Sequence, residues 1–421
     1  MSLNNNYNCN LSSGNDDSNQ DPVEEVEYWI IHGNFIVPNE NTKSVEIKED
    51  YVLKCSTLVG VIQYFGPAST SVSKNIVKGE EGESVIELSK YEFLVPGFID
   101  LHIHAPQYSY SGTATDRPLM EWLDEYTFPA ERSLNEDLQM ASEVYQRVVD
   151  ATLRNGTTTA LYFATLHVEP TKVLCDVIQN RGQRGLVGKV CMDRNSPEDY
   201  CQTIEENLKG TQEIIDYIRS SEAGKNGLLL PVVTPRFYPT CTFELLSKLG
   251  EIAVNNDCHI QSHISESIDE VEFSRILDES EVGGRDDDEE VTSRSDTQIF
   301  EAANCLTNKT ILAHGVFVDE KDAALLRARG CAIAHCALSN FYFAGHPLRC
   351  QHLMCLGNNI GLGTDVAGGY SPSMMNACRN TVIASRALWQ AQYYRDKNSP
   401  KDECLDYKQA FYLATLVSLK S

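Results

Sequence analysis

The chain has 421 residues, 42% of them hydrophobic, with 26 Gly and 15 Pro; this is ordinary globular composition with material for a sizeable core, and it excludes collagen, bulk disorder and a disulfide-stapled miniprotein. Thirty-five Lys and Arg against 60 Asp and Glu leave −25 at pH 7, so self-repulsion opposes polyphosphate and anionic bilayers, and neither nucleic acid nor membrane is an expected partner. With no apolar run of membrane-spanning length, and an N-terminus (MSLNNNYNCNLSSGNDDSNQDP) unlike a signal or transit peptide, the expected location is cytoplasmic.

Residues 1–25 are rich in Asn, Ser and Asp, with too little apolar content to offset chain entropy, and are expected to form a disordered tail. From 26 to 95 short β-type runs alternate with turn residues (VEYWIIHGNFIV, SVEIKEDYVLKC, VGVIQYFG, ESVIELSKYEFLV), which predicts a small antiparallel β module. At Pro96 the pattern changes. Eight β-type runs follow, GFIDLHIH (97–104), TTTALYFAT (157–165), LVGKVCMD (186–193), LLLPVVTPRF (228–237), HIQSHISE (259–266), TILAHG (310–315), CAIAHC (331–336) and NIGLGTD (359–365), separated by helix-length amphipathic segments. Leu138 to Arg154 is one such segment, with Ala141, Val144, Val148 and Ala151 on one face and Gly156 as a C-terminal stop. Eight alternations in one domain-sized stretch favour an α/β fold of the (β/α)8 TIM-barrel type over a doubly wound sheet, because no glycine-rich phosphate turn follows the first strand.

The acidic stretch 279–296 (ESEVGGRDDDEEVTSRSD) reads as a solvated loop. Beyond the eighth run a long helix is expected over Ser371–Gln392 and a shorter one from about Tyr407. Fourteen cysteines are scattered through apolar stretches (Cys191, Cys241, Cys258, Cys331, Cys336, Cys378) without a CxxC pair, and read as small buried hydrophobes in a reducing compartment.

In such a barrel the active site forms at the C-terminal ends of the strands, and the polar residues there are consistent. His102 and His104 close the first, His263 the fifth, His314 the sixth and Asp365 the eighth. Residues i and i+2 of a strand share a face, so both imidazoles of His102-Ile103-His104 can converge on one ion, with Ile103 facing the wall. Three imidazoles and one carboxylate around an open position suit a mononuclear zinc or similar borderline ion in a hydrolytic role. His167-Val168-Glu169 fits the HxE element of cysteine-ligated deaminases, but no PCxxC accompanies it, and His167 is read as a polar residue after the second strand. Glu266, three residues beyond His263, can transfer protons or simply sit at a helix N-terminus favoured by the dipole. Arg236 and Phe237 end the fourth strand with directed donors and an aromatic face, and Gln107 supplies an amide that both donates and accepts.

Together these elements resemble the amidohydrolase superfamily, and within it the guanine deaminase family. The resemblance rests on PGFIDLHIHAPQYSYSGT (96–113), PLMEWLDEYTFPAER (118–132), NGTTTALYFAT (155–165), GQRGLVGKVCMD (182–193), VTPRFYPTC (233–241), HIQSHISE (259–266), LTNKTILAHG (306–315) and GLGTDVAGGYSPSM (361–374). It implies a barrel over 96–415 flanked by a small β-sandwich module, and a homodimer. It implies one zinc per chain on His102, His104, His263 and Asp365, and hydrolysis of guanine to xanthine and ammonia. Asp365 would take the proton of the attacking water, Glu266 would relay protons, and His314 would hydrogen-bond the nucleophile. Gln107, Arg236 and Phe237, with His263 and Glu266, would contact the guanine. Selectivity against adenine would follow from Arg236, left as an unpaired buried cation without the O6 acceptor.

Two stretches depart from the family. His335-Cys336-Ala337-Leu338-Ser339-Asn340 has Ala-Leu where Pro-Asn is usual, and FYFAGHPLRC makes the 337–350 rim bulkier. After FYLAT (411–415), residues 416–421 (LVSLKS) diverge where the family continues into strands that complete the small module, so exposed β edges are expected. The alternative readings are a hydrolase acting on another aminopurine, a pterin or a triazine ring, and a weakly active chain that binds a full-length subunit.

Overall fold

The structure, a computed structural model, describes residues 27–282, 293–395, 397 and 404–416. The expected N-terminal tail, the middle of the acidic stretch and the divergent end from 417 lie outside the described residues. What is described divides into two compact units, one within 27–37 and 47–95, the other comprising 38–46 and the chain from Pro96 onward.

The first unit is built on β1 (Tyr28–Asn39), β2 (Ser44–Ser56), β3 (Ile62–Pro67), β4 (Glu83–Glu87) and β5 (Phe93–Leu94), in the order β3-β2-β1-β4, with β5 also on β1. Only part of the antiparallel expectation holds. β2 and β3 are antiparallel, with a register shift at Lys54/Cys55, whereas β1 pairs in parallel with both β4 and β5. Alternating runs carry no information on strand direction, and the long connection after β3, with its helix Ser71–Ile76, is what returns the chain parallel. His32 of β1 sits between carboxylates, Nδ1 2.6 Å from Glu87 and Nε2 2.9 Å from Asp50.

The second unit holds all eight expected strands: β6 (Phe98–His104), β7 (Thr157–Phe163), β8 (Arg184–Gly188), β9 (Leu229–Pro235), β10 (His259–Ile264), β11 (Thr310–His314), β12 (Ala332–His335) and β13 (Asn359–Leu362). Each pairs in parallel with the next, in chain order. The ring closes just past β13, where Asp365 N donates to His102 O (2.8 Å) and His104 N to Val366 O (2.9 Å). A doubly wound sheet is thereby excluded. A lumen layer gathers Leu101, Leu161, Leu186, Val232, Ile311, Ala332 and Ala334 from six strands, and larger apolar layers lie between strands and helices.

The helices follow their patterns. Leu138–Arg154 begins at Asp137, whose carboxylate accepts from Gln139 N and Met140 N, and buries Ala141, Tyr145, Val148, Val149 and Thr152. Each buried Val there contributes roughly 1.5–3 kcal/mol. The late helices span Met374–Arg395 and Tyr407–Thr415. The acidic stretch is shorter as a loop than expected. Glu279 to Val282 finish the helix Ile268–Val282, and the buried Asp296 opens the helix Asp296–Ala302. Buried Asp278 accepts from Arg294 N (2.7 Å), Nε (3.0 Å) and Nη2 (2.6 Å), tying the two flanks together. The six cysteines singled out in the sequence are all buried. Among the described residues no helix is long and apolar enough to cross a membrane.

Candidate active site

The first strand of the barrel carries a bulge that sets up the site. Between the β6–β7 partners Asp100↔Ala160 and Ile103↔Tyr162 the register shifts, three steps on β6 facing two on β7. Leu101 therefore belongs to the lumen layer while Ile103 packs outward with Tyr145, Val148 and Tyr162, and His102 and His104 face the barrel mouth together. Asp100 stabilises the bulge, accepting from His102 N (3.2 Å), Thr364 N (3.0 Å) and Thr364 Oγ1. Burial pushes its carboxyl up to about 6, against the lowering effect of the Thr364 bonds.

At the mouth the expected ligands converge. His104 Nε2 lies 3.2 Å from His102 Nε2 and 3.0 Å from His263 Nε2, and Asp365 Oδ1 lies 3.1 Å from His102 Nε2. His263 Nδ1 donates to the Arg236 carbonyl (2.6 Å), which leaves the Nε2 lone pair aimed at the cluster. Burial, then the neighbouring His102, holds His104 and His263 well below the usual imidazole range, so both are neutral at pH 7. Neutral nitrogens crowded at hydrogen-bond distance, beside a buried carboxylate, are a donor set that fits a borderline cation. A second, overlapping set is His102, His314, Cys336 and Asp365. Cys336 was not foreseen there; its thiol donates to Ala334 O, and burial raises its pKa well above the ordinary value.

His314 and Glu266 flank the cluster. His314 Nδ1 donates to Asn340 Oδ1 (2.9 Å), and its Nε2 stands 3.6 Å from Glu266 Oε2 and 3.8 Å from Asp365 Oδ2. Burial lowers the His314 pKa to about 4, so Nε2 carries a free lone pair. Burial, then Asp365 and Glu270, pushes Glu266 well above the carboxylate range, so it can hold a proton at neutral pH. Ser265, His314 and Asp365 all have left-handed backbone (φ 45, 71 and 49°), strain concentrated where the strands end and the side chains are aimed.

A pocket of about 390 Å³ opens beside this cluster, lined by Gln107, Arg236, Phe237, Glu266 and His314 and roofed by Leu119, Trp122, Leu123 and Phe343. Every sequence-predicted site residue is thus in one place. The bulkier rim contributes Phe343, whose ring lies 5.2 Å from Trp122, while Phe341 and Tyr342 face solvent. His167 takes no part; its ring packs 5.7 Å from Tyr200.

One expectation needs correcting. Arg236 is buried and already paired: Nη1 and Nη2 donate to Glu131 Oε2 (2.8 Å) and Oε1 (3.1 Å). Gln107 Nε2 (2.9 Å) and Tyr200 OH (2.8 Å) donate to the same carboxylate. The Arg236 charge is therefore compensated whichever ring is bound, and rejection of a ring without oxygen falls to its remaining N–H groups. Glu131 was missed in the sequence. Its signal is there, since Phe128, Glu131 and Leu134 share the buried face of the helix Phe128–Glu136, and an acid on an apolar stripe requires a partner.

The sequence pattern described as the Amidohydrolase family matches residues 93–420. The chain is 40% identical over 336 residues to a guanine deaminase of Dictyostelium discoideum, covering 80% of this chain and 69% of that one. It is 42% identical over 331 residues to the guanine deaminase of Homo sapiens, covering 78% and 68%. Among solved structures, guanine deaminase from C. acetobutylicum with guanine in its active site superposes with a TM-score of 0.80 at 27% identity, over 92% of this chain and 84% of that one. This chain belongs to the amidohydrolase family.

Proposed function

We propose that the chain hydrolyses guanine to xanthine and ammonia, with one zinc ion on His102, His104, His263 and Asp365. The observation that carries the reading is a single pocket in which an imidazole and carboxylate cluster and the buried Glu266 face the donors of Arg236 and Gln107. The guanine deaminase relatives supply the substrate. Bound zinc lowers the pKa of a coordinated water to about 7.

The chain's own groups divide the remaining work. Water oxygen bonds to C2 as the C2–N bond to the amine breaks, and three protons must be placed. Asp365, which burial would push up but which the hydrogen bonds of His102 and Ser339 help hold below the ordinary carboxylate value, accepts the proton of the attacking water. Glu266 delivers its proton to the adjacent ring nitrogen, takes the remaining proton of the added hydroxyl as the C2 carbonyl forms and passes it to the departing amine, and is then reprotonated with the proton held on Asp365. His314, its Nδ1–H held by Asn340, accepts a hydrogen bond at Nε2 and so orients the nucleophile. Gln107, Phe237 and the free N–H groups of Arg236 hold the ring. The reading also takes the enzyme as a cytoplasmic homodimer; the buried thiols support a reducing compartment, the family resemblance supplies the dimer, and sedimentation checks it.

Zinc content and xanthine formation by the purified chain test the proposal together. One zinc per chain with guanine turnover is expected. A zinc-loaded chain that releases ammonia only from another aminopurine, a pterin or a triazine sinks it.

A further inference from the structure

We infer that Glu131 is a positioning residue that sets both base-reading side chains and, through them, selects a ring carrying an oxygen as well as the amine. The inference rests on the guanine reading above. Glu131 is fully buried and accepts four hydrogen bonds, two at each oxygen: Arg236 Nη2 and Gln107 Nε2 at Oε1, Arg236 Nη1 and Tyr200 OH at Oε2. Its acceptor capacity is filled. No part of Glu131 remains to contact a substrate, so any effect it has must pass through its partners.

Two consequences follow for the pocket. The Gln107 amide has one possible orientation, because a flipped amide would set its oxygen against a carboxylate; Oε1 instead accepts from Ala367 N at 3.4 Å, and one Nε2–H remains for the ring. Arg236 is held as a planar fork with its charge neutralised and its far face covered by the Phe128 ring, 5.2 Å away. What it offers the ring is a set of aimed N–H groups. An oxygen at the matching position satisfies them; a ring without it leaves those N–H donors buried and unpaired.

The test compares guanine with 2-aminopurine, which keeps the amine and lacks the oxygen. In Glu131→Gln the carboxamide presents an NH2 toward the guanidinium, and the fork loses its template. Expected is a rise in KM for guanine of about 10- to 100-fold, the range for losing a hydrogen bond to a charged group, with a small change in kcat. KM for 2-aminopurine should barely move, so the preference between the two rings falls by the same factor. Zinc content and the kcat–pH profile should match wild type, since no proton-transfer group is touched. Tyr200→Phe removes one of the four bonds and should shift KM the same way by a smaller factor, so the inference stays testable if Glu131→Gln does not fold. A folded Glu131→Gln with unchanged preference, or one that loses kcat equally on both rings, overturns it. A wild-type chain without guanine turnover instead removes the function reading, before any variant is made.

Discussion

At one end of the pocket, acceptor atoms crowd together: three imidazole Nε2 atoms and one carboxylate oxygen lie about 3 Å from their neighbours with few donors among them. At the other end, a carboxylate of the same burial is saturated by four donors from three residues. Both are buried polar clusters in one barrel mouth, yet the first is a donor set that fits a cation and the second is complete in the protein alone. The difference teaches how the proposed parts divide: unmet acceptors suit binding and activation, whereas a closed network suits holding other side chains still.

Substitutions should separate the two ends. The largest effect is expected from Glu266→Gln, which removes the proposed proton carrier but no proposed ligand: kcat should fall by about 10²- to 10⁴-fold with zinc content unchanged, checked by turnover and metal analysis on one preparation. Loss of zinc would move Glu266 into the ligand set.

Next comes a contrast in stability, measured by denaturant unfolding of metal-free protein. Arg236→Met strands Glu131 as a buried charge and should cost about 3–5 kcal/mol. His104→Asn removes one of several mutually crowding acceptors, with an Nδ1 that has no partner, and should cost clearly less. The reverse order would show that the histidine end is structurally self-sufficient.

The smallest effect concerns an exposed counterpart of the Arg236–Glu131 pair. His32 lies between Asp50 and Glu87, and the Asp50 hydrogen bond, against some desolvation and with help from Glu87, raises its pKa above the ordinary 6.5. A raised folded-state pKa gives stability that is complete below the unfolded value and lost as pH climbs through the folded one. Melting temperature should therefore drop as pH climbs above 6.5 by more in wild type than in His32→Gln, by about a degree or two at most because the partners are solvated. Equal slopes would mean the ring contributes no pH-dependent stability.

The two ends also differ in how well the sequence exposes them. His102, His104, His263, His314 and Asp365 were legible because each closes a β-type run, and a barrel brings all strand ends to one mouth. Glu131 was not, because it comes from a helix between the first and second strands, and nothing local ties Phe128–Glu136 to the end of β9 more than a hundred residues on. Asn340 escaped for the same reason: its partner His314 ends a different strand. The bulge in β6 was invisible too, since GFIDLHIH alternates acceptably in either phase.

That bulge divides one seven-residue strand into two independently phased halves. Below it, Leu101 answers to the lumen layer; above it, His102 and His104 answer to the pocket. A seam of this kind works as insulation. Leu101 can trade volume with Leu161 or Val232 without turning either histidine, and the chemistry at the mouth can change without repacking the lumen. Straightening the seam with every residue kept would couple the two again, slipping the upper half by one position and swinging Ile103 toward the position now held by a histidine.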